Sequence, residues 1–482
     1  MENILITHGT ILTVDENDTI FEDGSLVIEQ GRIVFVGPSK EIQNRFIDYQ
    51  KIDAKGMLVM PGLVNTHTHL GATILRGISD DVDGMEWMPL NWSVTKYLNE
   101  DDLYLSALLG ISEMIASGTT CFSDAYQQIE QTAKAVKATG IRADLAAGLT
   151  ERNGKKEGQR LLDEAQAFGL EWNGEAGGRI RARLAPHALY TCSTEYILQA
   201  RRVADDLGIG MHMHLAESQL EMKTVKNKAG ATSIQHLNAL GILKADFLIA
   251  HALTINDDDM RIISKTGAGI AHCPQSLGKL GAYPFPPVDV WMKEGINVGI
   301  GTDGMTSNNN FDLFEELRFA SLTRKLFAKD GKVLPAKQIV RMATIMGARA
   351  LGLGDQIGSL EIGKKADIIL LDMHKPHLTP FHNLHGLLVY SALGSDVDTV
   401  IVDGKVIMQN RKFKTLDVDE IMSQSQVTFK KLLAKAGWTF SLSEPTQNIA
   451  TALKLKATAK SLRIFQSLVE NDKTTTNSQH SK

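Results

Sequence analysis

Several features are scarce in this 482-residue sequence, and each absence excludes a class of protein. The three cysteines, Cys121, Cys192 and Cys273, lie far apart and form no C-x-x-C pair, so neither a disulfide framework nor a thiolate zinc site is indicated. We expect each of them to be a small buried apolar residue in a reducing cytoplasm. No run of about 18 apolar residues occurs, so no membrane span is expected. Residues 1–10 predict a strand rather than a signal peptide.

An excess of charge of either sign is also missing. Lys and Arg number 51 and Asp and Glu number 56, which gives a formal net charge of −5. Neither nucleic acid nor an anionic membrane is therefore an expected partner. We expect a small molecule rather than a macromolecule as the partner, and a homo-oligomer as the assembly. The length suffices for a large domain with a second, smaller unit.

Two β-rich segments flank a long α/β middle. Residues 1–57 hold short apolar runs separated by glycines and acidic turns, and similar runs return in residues 361–415. These segments predict one small β-sandwich made from both ends of the chain. Within the second segment, Asp403-Gly404 predicts a hairpin turn between two apolar strands. Residues 416–482 predict a helical segment followed by a polar, disordered tail.

The middle, residues 58–360, predicts the main domain. A short apolar run followed by an amphipathic, helix-like stretch occurs eight times, which is typical of a parallel (β/α)8 barrel. An open doubly wound sheet is the alternative, but no G-x-G-x-x-G follows the first run. The predicted strands are LVMPGLVNTH, TTCFSDA, IRADLAAGL, RARLAPHAL, IGMHMHL, FLIAHAL, AGIAHCP and INVGIGTD.

Polar residues capable of chemistry fall at the carboxyl ends of these predicted strands. They are His67, His69, His187, His212, His214, Glu217, His251, His272 and Asp303. In a barrel these strand ends meet at one face, where active sites lie. His67 and His69 are two residues apart on a strand, so both point the same way and can hold one ion. A third imidazole and a carboxylate would complete a site suited to Zn²⁺ or Fe²⁺, and such an ion lowers the pKa of water from about 16 toward 7.

The roles of three histidines, His212, His214 and His272, are not decided by their position alone. In HMHL we predict that His214 faces inward as a ligand and that His212 belongs to the wall. For His272, direct contact with the site and indirect support of it remain equal alternatives. A binding or scaffold protein without catalytic activity would have no use for Glu217 and Asp303 beside a full set of ligands, so an enzyme is favoured.

At these residues the chain resembles the amidohydrolase superfamily. It resembles most closely the branch that holds S-adenosylhomocysteine/5′-methylthioadenosine deaminases and s-triazine chlorohydrolases, over roughly residues 1–430. The motifs that carry the resemblance are PGLVNTHTHL (61–70), LRG (75–77), SGTTCFSD (117–124), PHALYTCS (186–193), HMHLAES (212–218), AHALT (250–254), GTDGMTSNN (301–309) and GSLEIGKKADIILLD (358–372).

The resemblance implies a role for each site residue. One divalent ion per chain, Zn²⁺ or Fe²⁺, would be bound by His67, His69, His214 and Asp303. Glu217 would be the acid/base that protonates a ring nitrogen, and Asp303 would also take a proton from the attacking water. His251 would hold that water and help the leaving group depart. His187 would face the substrate.

The substrate pocket departs from the family pattern in one loop. After the seventh strand the family carries H-x-P-x-S-N-x-K-L-x-S-G, whereas this chain reads HCPQSLGKLGAY over residues 272–283. Lys279 is kept, but Leu277 replaces the asparagine and Tyr283 the glycine. The metal chemistry is unaffected by these changes, while the identity of the substrate depends on them.

Other expected substrate contacts are only partly present. Members that take S-adenosylhomocysteine use two arginines for its carboxylate; Arg160 matches one, and Ala147 stands where the other is expected. Glu86, just before Trp87, resembles the acid that holds ribose hydroxyls, although Glu86 could equally be a solvated loop residue. We predict that Glu86, Trp87, Arg160 and His187 contact the substrate.

The leading interpretation is hydrolytic deamination of an aminated N-heterocycle. An adenosine derivative such as 5′-methylthioadenosine, S-adenosylhomocysteine or adenosine is favoured. The alternatives are removal of chloride or an alkylamino group from an s-triazine-like ring, and deamination of a guanine or pterin. Cyclic amide hydrolysis is disfavoured, because those sites bridge two metals with a lysine on the fourth strand, and here that strand ends in Pro186-His187.

Overall fold

A computed structural model describes residues 3–42, 45–82 and 84–438, with the side chains of residues 84–86 and 220 outside the description. The described chain forms two β-sheets surrounded by helices. The strands are β1 Ile4–Leu12, β2 Ile20–Glu29, β3 Arg32–Pro38, β4 Gln50–Asp53, β5 Met57–Pro61, β6 Leu63–Thr68, β7 Thr119–Tyr126, β8 Arg142–Leu149, β9 Ile180–Pro186, β10 Gly210–Leu215, β11 Phe247–His251, β12 Gly269–His272, β13 Val298–Ile300, β14 Ile368–Asp372, β15 Val397–Val402, β16 Lys405–Gln409 and β17 Lys412–Phe413.

Most of the helices follow strands β6 to β13 along the chain and pack on the outer side of the sheet that these strands form. They are α1 Gly84–Thr95, α2 Glu100–Ala116, α3 Glu130–Thr139, α4 Lys155–Trp172, α5 Glu175–Gly178, α6 Thr194–Leu207, α7 Gln219–Ala229, α8 Ser233–Ala239, α9 Asp257–Thr266, α10 Pro274–Lys279, α11 Val288–Lys293, α12 Leu313–Ala328, α13 Ala336–Met342, α14 Ile345–Ala350, α15 Leu384–Tyr390 and α16 Val418–Lys435.

The larger unit is a parallel barrel. Its strands run in sequence order from β6 to β13, each hydrogen-bonded to the next. The first and last strands meet where Thr68 bridges Asp303, and the Asp303 N–H donates to the His67 carbonyl at 2.9 Å. Each of the eight runs predicted from the sequence overlaps one of these strands, which confirms the (β/α)8 barrel.

The second sheet is built from both ends of the chain. Its order is β17-β16-β15-β14-β5-β1-β2-β3, with β4 paired to β1. The antiparallel pair β5–β14 joins the two ends. Asp403 and Gly404 both adopt positive φ, of 51° and 74°, as the predicted hairpin between β15 and β16 requires. The expected small β unit from both chain ends is confirmed.

A buried ion pair fastens the two sheets together. Arg142, at the start of β8, donates from Nε and Nη2 to Asp367 at 2.7 and 2.9 Å, just before β14. The Asp403 N–H also donates to Asp367, at 2.8 Å. Because both side chains are almost fully buried, the bidentate geometry is what offsets the cost of taking the charges out of water.

Three further predictions concern the cysteines, the C-terminal segment and membrane-spanning helices. Cys121, Cys192 and Cys273 are all free thiols and buried, as expected. Helix α16 occupies the segment predicted as helical, while the predicted disordered tail lies outside the described residues. Over the described ranges, we find no helix whose length and apolar character would allow it to span a bilayer.

Candidate active site

Four side chains that the resemblance assigns to a metal converge at the carboxyl end of the barrel. His67 lies in β6 and His69 just beyond it, His214 lies in β10, and Asp303 follows β13. Nε2 of His69 lies 3.2 Å from Nε2 of His214 and 3.3 Å from Oδ1 of Asp303. Nε2 of His67 lies 3.6 Å from the same oxygen. His67, His69 and Asp303 thus form a grouping whose ligand atoms lie within 4.8 Å of one another, and His214 adjoins it through His69.

Hydrogen bonds at Nδ1 of His69 and His214 determine which nitrogen of each ring presents a lone pair. Nδ1 of His69 lies 2.6 Å from the Ala125 carbonyl, and Nδ1 of His214 lies 3.0 Å from the His187 carbonyl. A carbonyl only accepts, so each Nδ1 carries the hydrogen and each Nε2 presents a lone pair. Two lone pairs facing each other repel unless a cation lies between them. Two nitrogens bonded tetrahedrally to one Zn²⁺ would lie about 3.3 Å apart.

His67 is oriented by a second histidine. Its Nδ1 lies 2.9 Å from Nε2 of His212, and Nδ1 of His212 lies 3.3 Å from the Ser123 hydroxyl. Nε2 of His67 is buried and has no hydrogen-bond partner among the described residues. His212 thus lies behind His67, and the free nitrogen of His67 faces the site.

The protonation states of these groups also suit a divalent cation. Burial lowers the pKa of His67, His69 and His214, so the rings are neutral and can ligate. Burial alone would raise the pKa of Asp303, but the histidines around it and a hydrogen bond from Ser276 hold that pKa below its usual value. Three neutral imidazoles and one carboxylate form a donor set that Zn²⁺ and Fe²⁺ accept.

The backbone that carries Asp303 is tightly constrained. Asp303 adopts a positive φ of 62°, a conformation that non-glycine residues rarely take. The Ser276 hydroxyl donates to Oδ2 of Asp303 at 2.6 Å, and the Gly304 N–H donates to Oδ1 at 2.7 Å. A Cβ on Gly301 would come within 2.9 Å of the His67 Cβ. The glycines of the GTDG motif therefore allow this loop to approach the first strand closely.

His251 ends β11 beside the four groups. Its ring centroid lies 5.3 Å from that of His67 and 5.4 Å from that of His214. These three histidines form a second grouping whose ligand atoms lie within 4.8 Å of one another. Burial lowers the pKa of His251 to about 4, so the ring is neutral. Its Nδ1 is buried and has no partner among the described residues.

Glu217 follows β10 on the same side of the barrel. The pKa of Glu217 is raised to about 7; burial is the main cause, a hydrogen bond from Tyr190 opposes it, and the charge of Asp303 adds to it. The Tyr190 hydroxyl donates to Oε1 of Glu217 at 2.5 Å. Two carboxyl groups at one end of the barrel thus have pKa values shifted in opposite directions, which suits one as an acid and the other as a base.

His187 lies beside the cluster, and a cation lies near His187. The His187 ring lies 4.9 Å from that of His214, and its Nδ1 lies 3.0 Å from the Thr191 hydroxyl. Arg152 is exposed and stacks over Trp92, with its guanidinium carbon 3.5 Å from the ring centroid. The pKa of His187 is depressed mainly by burial and by His214, and in part by the charge of Arg152. A cationic group therefore lies close enough to His187 to affect its pKa.

The structure does not bring the predicted Arg160 to this cluster. Arg160 lies on the exposed face of α4, where Glu157 and Glu164 both engage its guanidinium. Trp87 uses its indole N–H to donate to the Thr306 carbonyl at 2.8 Å, which ties α1 to the loop after β13. The side chain of Glu86 lies outside the described residues.

In the loop after β12, the two residues that depart from the family pattern lie in different environments. Leu277 is buried and packs with Leu253 and Phe285. Tyr283, in contrast, is 72% exposed and contacts Phe327 at a ring distance of 6.2 Å. The change at Leu277 thus affects packing beneath the site, while the Tyr283 side chain faces solvent.

His272 is fully buried at the end of β12. Its ring packs edge-on against Phe285 at 5.5 Å, and burial lowers its pKa to about 3. Neither nitrogen has a hydrogen-bond partner in the described ranges. It lies near His251, whose protonated form at acidic pH contributes to the lowered pKa.

Sequence reasoning missed three residues of the site. Tyr190 lies within the motif PHALYTCS and Ser276 within HCPQS, but the pattern of these motifs assigns no role to either residue. Their contacts with Glu217 and Asp303 depend on loop geometry that spacing does not reveal. Arg152 belongs to no motif and could be found only in three dimensions.

Comparisons with known proteins agree with this architecture. A sequence model described as Amidohydrolase family matches residues 58–407. The chain is 41% identical over 431 residues to a 5-methylthioadenosine/S-adenosylhomocysteine deaminase of Desulforudis audaxviator, covering 89% of this chain and 99% of the relative. It is also 41% identical over 437 residues to a 5′-deoxyadenosine deaminase of Methanosarcina mazei, with 90% and 99% covered.

Solved structures with the same fold carry metal. The structure of an adenosine deaminase from Xanthomonas campestris with bound zinc has a TM-score of 0.86 at 29% identity and covers 89% of this chain and 98% of that one. An atrazine chlorohydrolase from Arthrobacter aurescens TC1, complexed with zinc, has a TM-score of 0.82 at 25% identity, with 88% and 100% covered. With the family model spanning most of the barrel and close relatives matched over nearly their full length, this chain is a hydrolase of the Amidohydrolase family.

Proposed function

We propose that the chain is a metal-dependent hydrolytic deaminase of adenosine derivatives. The single observation that carries the proposal is a pair of carboxyl groups beside a metal-ligand cluster. Glu217 has a pKa raised to about 7 by burial, whereas the histidines around Asp303 hold its pKa low. Deamination needs one group that gives a proton to a ring nitrogen and another that takes a proton from water.

His67, His69, His214 and Asp303 are the proposed ligands. A divalent ion held by them would lower the pKa of a water molecule from about 16 toward 7. Asp303 is ionised and fixed by Ser276 and Gly304, so its carboxylate is ready to accept the proton of the attacking water. The neutral imidazole of His251 can orient that water and relay to the departing amine the proton that Asp303 has taken.

Glu217 acts on the other side of the reacting carbon. In its protonated form it donates to the ring nitrogen next to the carbon that bears the amino group, which makes that carbon more electrophilic. The water oxygen bonds to the carbon, and the proton that Asp303 takes from the water is passed to the amino group. The C–N bond then breaks and ammonia leaves, while the second water proton returns to Glu217 as the ring carbonyl forms. This sequence selects amidine-like carbons such as C6 of adenine.

The substrate class rests on the relatives and on the opening of the site. Relatives at 41% identity are a 5-methylthioadenosine/S-adenosylhomocysteine deaminase and a 5′-deoxyadenosine deaminase. Trp92 and Arg152 form an aromatic and cationic surface beside His187. We propose that the sugar and its 5′ substituent lie toward this surface, with Glu86 and Trp87 as further contacts.

A side-by-side assay of ammonia release tests the proposal. The purified protein is given 5′-methylthioadenosine, 5′-deoxyadenosine, adenosine and S-adenosylhomocysteine, with guanine, a pterin and an s-triazine as competing candidates. We expect turnover of adenosine derivatives. Release of ammonia from guanine or the pterin alone, or loss of chloride or an alkylamine from the triazine, would overturn the nucleoside assignment.

Three finer proposals accompany the activity. We propose Zn²⁺ as the native ion, because the histidine-rich donor set suits it and zinc is bound in two similar structures. We propose a cytoplasmic location, since the three cysteines are free and buried. We propose a homo-oligomer, because Leu322, Leu326 and Phe327 expose about half or more of their surface along α12. Metal analysis, cell fractionation and light scattering test these in turn.

A further inference from the structure

The turn that carries Glu217 is held by a second, buried glutamate. Glu221 is 1% exposed and lies in the first turn of α7. Its Oε1 accepts the Ala216 N–H and its Oε2 accepts the Glu217 N–H, both at 3.0 Å. One carboxylate thus binds two successive main-chain amides at the residue proposed to donate the proton.

An ordinary helix cap does not account for this arrangement. Ser218 caps α7, and its hydroxyl accepts the Glu221 N–H at 3.1 Å, so the S-x-x-E sequence looks like a capping box. In a capping box the glutamate reaches back to the N–H of the capping residue itself. Here the carboxylate reaches past Ser218 to the two residues before it, so its bonds fix the loop rather than the helix end.

The loop needs such support because its backbone is strained. Ala216 adopts a positive φ of 54°, which a non-glycine residue keeps only where its surroundings enforce it. The Ala216 carbonyl accepts both the main-chain N–H and the hydroxyl of Thr254, each at 2.9 Å. Glu221 holds the amide side of this peptide unit and Thr254 holds the carbonyl side.

We propose that Glu221 is a positioning residue for Glu217, acting through the Ala216–Glu217 main chain to keep the catalytic carboxyl aimed at the substrate. This inference rests on the proposed role of Glu217 as the proton donor. Over the described residues, no hydrogen bond joins Glu221 to any of the four proposed metal ligands. Its removal should therefore lower kcat and leave the metal content unchanged.

A double-mutant cycle tests the inference. Glu221→Gln replaces one acceptor oxygen with an amide NH2 that faces a main-chain N–H. We expect kcat to fall about 10- to 100-fold, since a displacement near 1 Å can cost about 10²-fold, with KM changed less than about threefold. In the Glu217→Gln background the same change should have no further effect on kcat, because the group it positions is already lost.

A matched control separates positioning from capping. Asp259 is a buried carboxylate in the first turn of α9, where it accepts the Asn256 N–H at 3.1 Å in a true capping box. Asp259→Asn should lower the thermal midpoint and leave kcat unchanged. If Glu221→Gln does not fold, Thr254→Val removes only the side-chain bond to Ala216, and we expect a smaller fall in kcat, again absent in the Glu217→Gln background.

The outcomes are distinct. Three results would overturn the positioning role. Glu221→Gln could keep a near-normal kcat, or its effect could add fully to that of Glu217→Gln. The third is a fall in kcat in Asp259→Asn equal to that in Glu221→Gln. Near-normal kcat in Glu217→Gln alone would instead overturn the proposed function of Glu217. Because that variant is measured first, the two failures cannot be confused.

Discussion

The Tyr190 hydroxyl donates to Glu217 at 2.5 Å, and its ring lies 5.8 Å from that of His187 in an edge-on contact. A hydroxyl that donates to a carboxylate favours the ionised form and lowers its pKa. Burial acts in the opposite direction and brings the pKa of Glu217 to about 7. The balance between the two sets the fraction of Glu217 that carries a proton at neutral pH.

This balance predicts the pH dependence of turnover. Because Glu217 donates only when protonated, kcat/KM should fall as the pH rises through about 7, the pKa of that carboxyl. Tyr190→Phe removes the bond that favours the carboxylate, so the pKa should rise and the alkaline fall should move to higher pH. A pH–rate profile measures both. Tyr196→Phe, whose hydroxyl donates to the Gly158 carbonyl, serves as the control, and a shift of the Tyr190→Phe profile to lower pH would contradict the prediction.

Metal content provides a second prediction. We expect about one tightly bound divalent ion per chain, because three imidazoles and a carboxylate form one mononuclear site. His67→Ala and His69→Ala should lose metal and activity together, while His236→Ala, whose ring contacts the Thr194 hydroxyl, should keep both. Elemental analysis of purified protein is the measurement. Two ions per chain, both needed for activity, would refute the mononuclear site.

Glu217→Gln separates catalysis from metal binding. The variant should retain the ion and the fold, because Glu217 is not among the proposed ligands. It should lower kcat by roughly 10²–10⁴, the usual contribution of a positioned proton carrier. Single-turnover rates with metal-replete protein measure the loss, and near-full kcat would mean that another group supplies the proton.

Arg152 bears on the choice among adenosine derivatives. Ala147 stands where the family pattern has an arginine for the carboxylate of S-adenosylhomocysteine. We therefore predict that 5′-methylthioadenosine, 5′-deoxyadenosine or adenosine is turned over at least as well as S-adenosylhomocysteine. Arg152 lies close enough to His187 to affect its pKa and could still attract a carboxylate. Arg152→Ala should then lower kcat/KM for S-adenosylhomocysteine about tenfold, as expected for a charge-assisted bond of roughly 1.5–3 kcal/mol, and change the value for 5′-methylthioadenosine little. Equal losses for both substrates would assign Arg152 to the shape of the pocket instead.

The buried pair between the two sheets predicts a large effect on stability. Arg142→Met leaves Asp367 buried without its partner, so the free energy of unfolding should fall by about 3–5 kcal/mol. Urea denaturation measures the change. Arg261→Met removes an exposed ion pair with Asp258 and should change the midpoint little. Comparable losses of unfolding free energy in the two variants would mean that burial does not increase the contribution of the Arg142–Asp367 pair to stability.

The barrel and most of its polar cluster were accessible from the sequence for a physical reason. Parallel strands end at one face, so residues at the ends of eight apolar runs must converge there. His67 and His214 could be placed in this way without any coordinates. The sign of the Glu217 pKa shift could not be predicted, because it depends on burial and on Tyr190, which approaches from the loop after another strand.

Residues outside the strands were harder to predict. Arg160 was chosen from a local match in the sequence, but it lies on the solvent face of α4 and pairs with Glu157 and Glu164. Arg152, eight positions earlier, is the arginine that stacks on Trp92. Loop and helix registers of this kind depend on packing between elements distant in sequence, which motif spacing does not determine.

The sheet assembled from both chain ends has a consequence for synthesis on the ribosome. Strand β5 is made immediately before the barrel, while its antiparallel neighbour β14 is made only after the barrel is complete. At about 5–20 residues per second, the edge of β5 that pairs with β14 stays open for about 15–60 seconds in the nascent chain. An unpaired strand edge can bind other strands, so the growing polypeptide is most exposed to misassociation during the interval in which its barrel is being translated.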